Sequence, residues 1–507
     1  MKNTSRHRLL LTLSAGLLLF FGTCVPKGVF GPDPRQMILQ KLFDEISQND
    51  GGAHKNSLYS LTKENRISPC TLPFKCSWIL QTPNIWGVPA KNVKPNAGRH
   101  VLDEMTDAIR NAETFVDITT LSEVTLDSMI TSGEFTREII AAIRSLAENN
   151  KTVTIRIMGG TAPIVPYTSA RKLLKAIVAE VGPIKTGKLK IYVAAQKVAD
   201  LSWNHSKIIA VDGSRAIIGG QNLWDVYLGP TPIHDLNVQL QGSSALSMHQ
   251  FIDTLWGNVC ASVNPLYAGR PYYWESGAKD ITRACLPKSG VKNVPDSGDV
   301  WVLAAGRLGT GPKIAADDVA MLSAFDMAKD SIYISQQSLY VPPFVGFWEK
   351  AVTKLGDALA RGVKIYYVQS NPLTPDYSGA TLKVIGDHLR AAARRSKNNN
   401  RTNKELNALL CKNLNLAELR FNNTDDTWPD ARGNKRFFGN HAKFFMIDDL
   451  LFYVGSRNLY RADLQEFGVF MSDATAVANI KANYWDPLWN FSKRTRVSGA
   501  GAASCIF

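Results

Sequence analysis

Two short stretches of this chain decide its fold, because they repeat one pattern. The first is WNHSKIIAVD at residues 203–212, followed by GGQN at residues 219–222. The second is NHAKFFMID at residues 440–448, followed by GSRN at residues 455–458. Both read His-x-Lys, four residues, Asp, six residues, Gly, Gly or Ser, one residue and Asn, and 236 residues separate equivalent positions. This repeat predicts two duplicated halves that bring the two copies together.

Each copy is expected to lie on a strand, where residues two apart point to the same face. The histidine and lysine of a copy then project together, and the Asp-Gly or Asp-Asp that follows predicts a tight turn. Small residues after the turn would let the asparagine approach the same site. Each copy thus supplies an imidazole, an ammonium and an amide: His205, Lys207 and Asn222 in the first, and His441, Lys443 and Asn458 in the second.

The surrounding chain alternates between helical and strand periodicity. Helices are predicted at residues 101–113, 134–149, 169–181, 318–329, 347–361, 381–395 and 404–414. Strands are predicted at residues 115–121, 153–158, 189–193, 332–335, 363–368 and 418–421, and residues 51–76 are expected to be irregular. The alternation predicts an α/β fold, in which each half has a mixed or largely parallel sheet covered by helices on both faces. We predict an N-terminal half at 32–290 and a C-terminal half at 300–507, with the active site at their interface.

The bulk composition is that of a globular protein. The chain has 507 residues, of which 45 % are hydrophobic and 20 % charged, and this argues against a disordered chain. The net charge of +14 would attract anionic membranes, nucleic acids or acidic polymers. A basic balance also serves solubility alone, and the charge does not separate these alternatives.

The N-terminus predicts an exported protein. Lys2, Arg6 and Arg8 precede an uncharged run at residues 9–21, which is too short to span a bilayer comfortably but suits a signal-peptide core. We predict a signal peptide at residues 1–24 and secretion, with a lipoprotein modified at Cys24 or an uncleaved anchor as alternatives.

The remaining six cysteines suggest disulfides, since an exported chain passes through oxidising compartments. Proximity in the sequence favours three pairs, while other pairings stay open. The favoured pairs are Cys70–Cys76, Cys260–Cys285 and Cys411–Cys505.

Two sets of imidazole, ammonium and amide suit a phosphodiester substrate. Lysines and asparagines can hold the non-bridging oxygens and stabilise the charge of a five-coordinate transition state. One histidine can attack phosphorus while the other protonates the leaving oxygen. The lysines supply the positive charge, so neither a metal nor a cofactor is expected.

The duplicated pattern resembles the signature of the phospholipase D superfamily. Stretches at residues 78–83, 202–207, 334–337 and 464–468 resemble most closely the secreted Streptomyces-type phospholipases D. The resemblance implies hydrolysis of the distal phosphodiester bond of phosphatidylcholine or a related phospholipid, through a phosphohistidine intermediate. The products would be phosphatidic acid and the free head group, or an exchanged head group where another alcohol replaces water (transphosphatidylation).

The resemblance also implies residue roles. His205 would be the nucleophile and His441 the acid, with Asp235 and Glu466 orienting the imidazoles, and we expect Glu466 to lie behind His441. Asp212 and Asp448 match the aspartates of the motif, but an odd number of residues separates them from the histidines, so we expect structural or electrostatic roles. The predicted catalytic set is His205, His441, Lys207, Lys443, Asp212, Asp448, Asn222, Asn458, Asp235 and Glu466.

Three aromatic residues, Trp224, Tyr227 and Tyr377, could form a wall for a quaternary ammonium head group by cation–π contact. Ordinary core or rim positions are the alternative for these residues. We expect a monomer that contacts membranes peripherally and does not bind nucleic acid. The competing hypotheses are a superfamily phosphodiesterase that cleaves nucleic acid and a catalytically idle lipid-binding homologue.

Overall fold

The computed structural model describes most of the chain. The described residues are 34–71, 76–94, 96–121, 133–160, 170–199, 202–229, 233–262, 271–309, 315–341, 346–371, 379–424, 427–429, 435–502 and 504–507. The predicted signal peptide at residues 1–24 and the predicted head-group residue Tyr377 lie outside them.

Helices and strands alternate through the first half. Its α-helices are α1 (Pro34–Asp50), α2 (Arg99–Arg110), α3 (Glu134–Glu148), α4 (Ala170–Val181) and α5 (Ser244–Ala261). Its strands are β1 (Tyr59–Arg66), β2 (Ile79–Thr82), β3 (Phe115–Thr119), β4 (Thr152–Gly160), β5 (Lys188–Ala199), β6 (Ser202–Trp203), β7 (Ile208–Val211), β8 (Arg215–Gly219), β9 (Asp235–Gly242) and β10 (Tyr272–Glu275).

The second half repeats this rhythm. Its α-helices are α6 (Ala316–Met327), α7 (Glu349–Arg361), α8 (Leu382–Arg395), α9 (Asn403–Asn413), α10 (Ala474–Ile480) and α11 (Asp486–Ser492). Its strands are β11 (Val300–Leu308), β12 (Ser331–Ser335), β13 (Tyr340–Val341), β14 (Gly346–Phe347), β15 (Lys364–Gln369), β16 (Leu414–Glu418), β17 (Trp428–Pro429), β18 (Lys435–Arg436), β19 (Phe444–Ile447), β20 (Leu451–Gly455) and β21 (Gln465–Met471).

The strands around the two motif copies have the same order. In the first half it is β5–β4–β3–β7–β8–β9, and in the second it is β16–β15–β12–β19–β20–β21. The first three strands of each set are parallel, and the following pairs are antiparallel. This repeated order confirms the predicted duplicated α/β fold with a mixed sheet.

Two strands join the halves into one sheet. Strand β1 pairs antiparallel with β11 and also with the end of β9, while β11 pairs with β21. Because β9 and β21 each follow a motif copy, this junction brings the strands that leave the two copies to neighbouring places.

The motif strands are buried on both faces, which explains their apolar runs. On β7, Ile209 and Val211 pack into the cluster formed with α2, α3 and α4, whereas Ile208 and Ala210 face the larger cluster that continues into the second half. Helix α3 lies on the sheet through a stripe of buried apolar residues that recur at helical spacing.

All three favoured cysteine pairs are confirmed as disulfides: Cys70–Cys76, Cys260–Cys285 and Cys411–Cys505. The third pair ties α9 to the C-terminal end of the chain. Within the described part of the chain, no helix combines the length and apolar character that a bilayer crossing requires.

Three local predictions were wrong. The strand predicted at residues 418–421 is β16, which ends at Glu418, and β1 lies inside the stretch expected to be irregular. The sequence of β1 is polar and shows no clear alternation, because much of its stability comes from pairing with β11. His205 and His441 precede β7 and β19 and do not lie within them. Their backbone amides donate instead to Gln465 and His234 of the opposite halves.

Candidate active site

The backbone of each predicted catalytic histidine is held by the opposite half. The amide of His205 donates to the carbonyl of Gln465 at 2.9 Å, and the amide of His441 donates to the carbonyl of His234 at 2.7 Å. Each acceptor immediately precedes the carboxylate predicted to orient an imidazole. The main chain therefore places each motif copy beside the carboxylate of the other half.

The side chains follow this crossed arrangement. The His205 Nδ1 atom lies 3.1 and 3.0 Å from the two carboxylate oxygens of Glu466. The His441 Nδ1 atom lies 2.7 Å from Oδ2 of Asp235. The expectation that Glu466 lies behind His441 was wrong: although β21 pairs with β20 of its own motif copy, the Glu466 carboxylate contacts the histidine of the first copy. A carboxylate on Nδ1 orients each ring and leaves Nε2 available for chemistry.

An asparagine before each histidine fixes the active segment, although the sequence reading gave it no role. The side-chain amide of Asn204 donates to the carbonyl of Thr120 at 2.9 Å and accepts from the amide of Ser206 at 3.2 Å. Asn440 makes the equivalent contacts with Gln336 and Ala442, at 3.1 and 3.2 Å. The signal was present in the sequence, since Asn occupies the same place in both copies.

The two motif lysines are buried beside the histidines. Nζ of Lys207 donates to the carbonyl of His205 at 2.5 Å. Nζ of Lys443 donates to the carbonyl of His441 and lies 2.8 Å from Nδ1 of that ring. Burial lowers the pKa of Lys443 to about 8, and burial together with the positive charge of Lys443 lowers the pKa of Lys207 well below its usual value. Two buried ammonium groups that repel each other would be stabilised by an anion placed between them.

Burial also controls the imidazoles. It lowers the pKa of His205 to about 4, despite the attraction of the Glu466 carboxylate. Burial and the neighbouring Lys443 lower the pKa of His441 to about 4. Both rings are therefore neutral at pH 7 while the site holds no anion. A phosphodiester anion would offset the lysine charges and raise the proton affinity of the rings.

The two motif asparagines are buried, with amide atoms that lack a hydrogen-bond partner among the described residues. These atoms are Nδ2 of Asn222 and both side-chain atoms of Asn458. Buried amides without partners are costly unless a ligand supplies the partner. Glycine is required before Asn222, since a Cβ atom on Gly219 would lie 2.2 Å from Oδ1 of Asn237.

The motif aspartates form equivalent clasps. The Asp212 carboxylate accepts the backbone amides of residues 113–115, and the Asp448 carboxylate accepts those of residues 329–331, all at 2.8 Å. Both have positive φ angles, 54° and 52°, in the turns that were predicted from sequence. This geometry ties the turn after each motif to the start of β3 or β12, as a structural role requires.

The proposed head-group residues have different surroundings. Trp224 is half-buried and packs against the helix cluster of the first half. Tyr227 is fully buried, and its hydroxyl donates to Oδ2 of Asp235 at 2.9 Å. The structure therefore places Tyr227 against the imidazole–carboxylate pair of His441, a contact that sequence reasoning missed.

His234 also escaped the sequence analysis. Nδ1 of its ring lies 3.0 Å from the carbonyl oxygen of Thr82, and Nε2 lies 3.4 Å from the hydroxyl of Tyr484. Burial lowers the pKa of His234 to about 4. In the sequence, only its position directly before Asp235 indicates that His234 lies near the active site.

The chain is similar to known proteins in sequence and in fold. The chain is 29 % identical over 508 residues to a phospholipase D of Streptomyces antibioticus, covering 88 % of this chain and 86 % of the relative. Its fold resembles the crystal structure of phosphatidylserine synthase from Haemophilus influenzae, with TM-score 0.54, 12 % identity and 91 % of both chains covered. A phospholipase D family member, Nuc from Salmonella typhimurium, aligns at TM-score 0.24 and 19 % identity over 37 % of this chain and 96 % of its own. No family model matches the chain.

Proposed function

We propose that this chain is a member of the phospholipase D superfamily, since it is similar over 88 % of its length to a phospholipase D, and that it acts on phosphatidylcholine or a related phospholipid. It cleaves the distal phosphodiester bond and yields phosphatidic acid and the free head group. The observation that carries the proposal is the crossed pair of imidazole–carboxylate contacts beside two buried lysines. A single phosphodiester anion satisfies both the charge and the chemistry of this arrangement.

In the first step, Nε2 of His205 attacks phosphorus and the bond to the head-group oxygen breaks. His441 donates its Nε2 proton to that oxygen, so the head group leaves as an alcohol and not as an alkoxide. The phosphorylated ring of His205 keeps its Nδ1 proton directed at Glu466, which lies 3.0 Å away and balances the charge on the ring.

In the second step, His441 is neutral and removes a proton from water. The water oxygen attacks phosphorus, the bond to His205 breaks, and phosphatidic acid is released. An alcohol in place of water gives a new phosphodiester, which is transphosphatidylation. Lys207 and Lys443 stabilise the extra negative charge of both five-coordinate transition states.

The order of protonation follows from the charges. The low pKa values of both rings keep His205 unprotonated and nucleophilic at neutral pH. His441 must gain its proton when the anionic substrate offsets the neighbouring lysines. Asp235 can stabilise the protonated ring through Nδ1, because its carboxylate stays ionised: burial raises its pKa, but His441 and Lys443 keep that pKa below the ordinary value.

Secretion and the arrangement of the halves remain part of the proposal. Three disulfides support an exported protein, since such bonds persist in oxidising compartments. The boundaries at residues 32–290 and 300–507 and the signal peptide at 1–24 stay predictions. A monomer in peripheral contact with a phospholipid surface, without nucleic-acid binding, completes the proposal.

Product analysis tests this function. Purified protein is incubated with phosphatidylcholine vesicles, with and without ethanol, and in parallel with plasmid DNA. We expect choline and phosphatidic acid, and phosphatidylethanol when ethanol is present. Plasmid cleavage without lipid turnover would instead identify the chain as a phosphodiesterase that acts on nucleic acid. If neither substrate is turned over, the chain is a catalytically idle binding protein.

Variants test the two histidine roles. His205→Ala is expected to abolish turnover, and quenching of the wild-type enzyme in alkaline denaturant should trap the phosphorylated form of His205. His388→Ala is the matched control, because this half-buried histidine contacts Glu349 on the surface. Trapped phosphate on His441 instead of His205 would reverse the assigned roles.

A further inference from the structure

Each carboxylate of the site accepts a hydrogen bond from a hydroxyl. Oγ of Ser456 donates to Oε2 of Glu466 at 2.5 Å, and the hydroxyl of Tyr227 donates to Oδ2 of Asp235 at 2.9 Å. These two contacts differ in origin, since Ser456 belongs to the second motif copy and Tyr227 lies outside the first. The two imidazole–carboxylate pairs therefore have similar chemistry built from non-equivalent residues.

The reason is steric. Gly220 occupies the place in the first copy that Ser456 occupies in the second. A Cβ atom on Gly220 would lie 2.1 Å from Oδ1 of Asp235, so a serine there would have to displace the carboxylate that it should bind. The hydroxyl for Asp235 must come from another residue, and Tyr227 supplies it.

Tyr227 is held firmly in this place. Its ring is fully buried, and its hydroxyl also lies 3.2 Å from Nδ1 of His441 and accepts from the amide of Asn222 at 3.4 Å. The short turn that carries it, Asp225–Tyr227, is anchored because the Asp225 carboxylate accepts two amides at the start of α3, each at 2.8 Å. A residue so buried and so bonded does not depend on a head group for its position.

We propose that Tyr227 is a positioning residue for His441, acting through Asp235, and not a wall of the head-group site. This proposal rests on the function proposed above and assigns one residue within it. The amide of Leu236 holds Oδ1 of Asp235 at 2.9 Å, so Tyr227 and His441 share Oδ2. The hydroxyl fixes the direction of the carboxylate and withdraws part of its charge from the imidazole.

Loss of the hydroxyl changes both properties. The Asp235 carboxylate can then rotate, so His441 is misaligned. Without the hydrogen bond from the hydroxyl, the full charge of the carboxylate also stabilises the protonated form of His441 more strongly. The other titratable groups that face this pair are Lys443, Lys207, His234 and Tyr484, and none of them changes in a Tyr227 variant.

The test compares Tyr227→Phe with wild type. Phenylalanine keeps the ring and any cation–π contact but removes the hydroxyl. We expect kcat for phosphatidylcholine to fall about 10- to 100-fold, as for other groups that orient an active-site imidazole, with KM within twofold. The alkaline limb of the kcat profile should move to higher pH. In single-turnover measurements of the first step, a phosphatidyl ester of p-nitrophenol should recover most of the rate, since that leaving group needs no proton.

Tyr273→Phe is the matched control, because its hydroxyl donates at 2.6 Å to the carboxylate of Glu275, an exposed residue of strand β10. It should keep the wild-type kcat and pH profile. Tyr227→Leu, which also removes the ring, separates the two roles. If Tyr227→Phe matches wild type while Tyr227→Leu raises KM for the choline lipid, Tyr227 is a head-group wall and the proposal is overturned.

A second readout requires no lipid turnover. The side-chain NMR titration of His441 in the free enzyme should show a higher midpoint in Tyr227→Phe than in wild type. An unchanged midpoint overturns the positioning role. If wild type fails to hydrolyse phosphatidylcholine but the midpoint moves, the proposed substrate fails while the inference about Tyr227 stands.

Discussion

The crossed imidazole–carboxylate pairs predict that each carboxylate variant impairs the histidine of the other half. We consider Glu466→Gln and Asp235→Asn, which keep the shape of each side chain and remove its charge. The first should impair the nucleophile His205, and the second should impair the acid His441. If carboxylates served their own halves, the two defects would be exchanged.

The size of the defect follows from the distances. The carboxylate–imidazole contacts are 3.0 Å for His205 and 2.7 Å for His441, so the charge centres lie roughly 4 Å apart. At an effective dielectric constant near 20, a charge pair at this separation is worth about 4 kcal/mol. Both carboxylates are completely buried, so solvent screening reduces this little. Each variant should therefore lose roughly 10³-fold in the step that its histidine serves.

Leaving-group chemistry identifies the step. Choline needs a proton from the acid, whereas p-nitrophenolate leaves without one. With the p-nitrophenyl ester, single-turnover rates of Asp235→Asn should return to within about 10-fold of wild type. Glu466→Gln should remain slow with both substrates, because the charge that develops on His205 is unbalanced in either case.

A control and an independent assignment complete the experiment. Glu275→Gln removes an exposed carboxylate on β10 and should leave both rates unchanged. Trapping in alkaline denaturant establishes which ring is phosphorylated. Phosphate on His205 together with rescue of Glu466→Gln, and not of Asp235→Asn, would refute the crossed assignment.

Three further outcomes are expected. Asp212→Asn and Asp448→Asn should each lower the free energy of unfolding, measured with urea, by about 1–3 kcal/mol. Each replaces a carboxylate that accepts three backbone amides. A kcat loss above about 100-fold with unchanged stability would instead assign these aspartates to the chemistry. The pKa of His234 is about 4 in the folded chain and ~6.5 in the unfolded chain, so between these pH values only the unfolded chain binds the proton. Stability therefore falls as the pH drops from 6.5 to 4. His234→Asn should flatten that part of the Tm–pH curve, and an identical curve would contradict the reasoning. Replacing Cys411 and Cys505 with Ser opens a loop with a sequence separation of 94. The free energy of unfolding, measured by calorimetry, should fall by about 3–5 kcal/mol, while turnover at 25 °C persists. Lost turnover without a change in Tm would count against a purely stabilising role.

The sequence by itself determined the duplication and the chemical inventory of the site. Equal spacing in the two motif copies identified the histidines, lysines and asparagines, because spacing within a strand and turn is a local property. Helical periodicity located most helices for the same reason, and short separations made two disulfide pairs easy to recognise. The turn at Asp212 was also readable, since Asp-Gly favours positive φ angles.

Only the tertiary structure decided which groups meet. His205 and Glu466 are 261 residues apart, and His441 and Asp235 are 206 apart, so no local pattern reports either contact. The pairing depends on β1 and β11, which bring together the strands that leave the two motif copies. The hydroxyl of Tyr227 reaches Asp235 for the same reason of packing, because Gly220 leaves no room for the serine that the second copy uses.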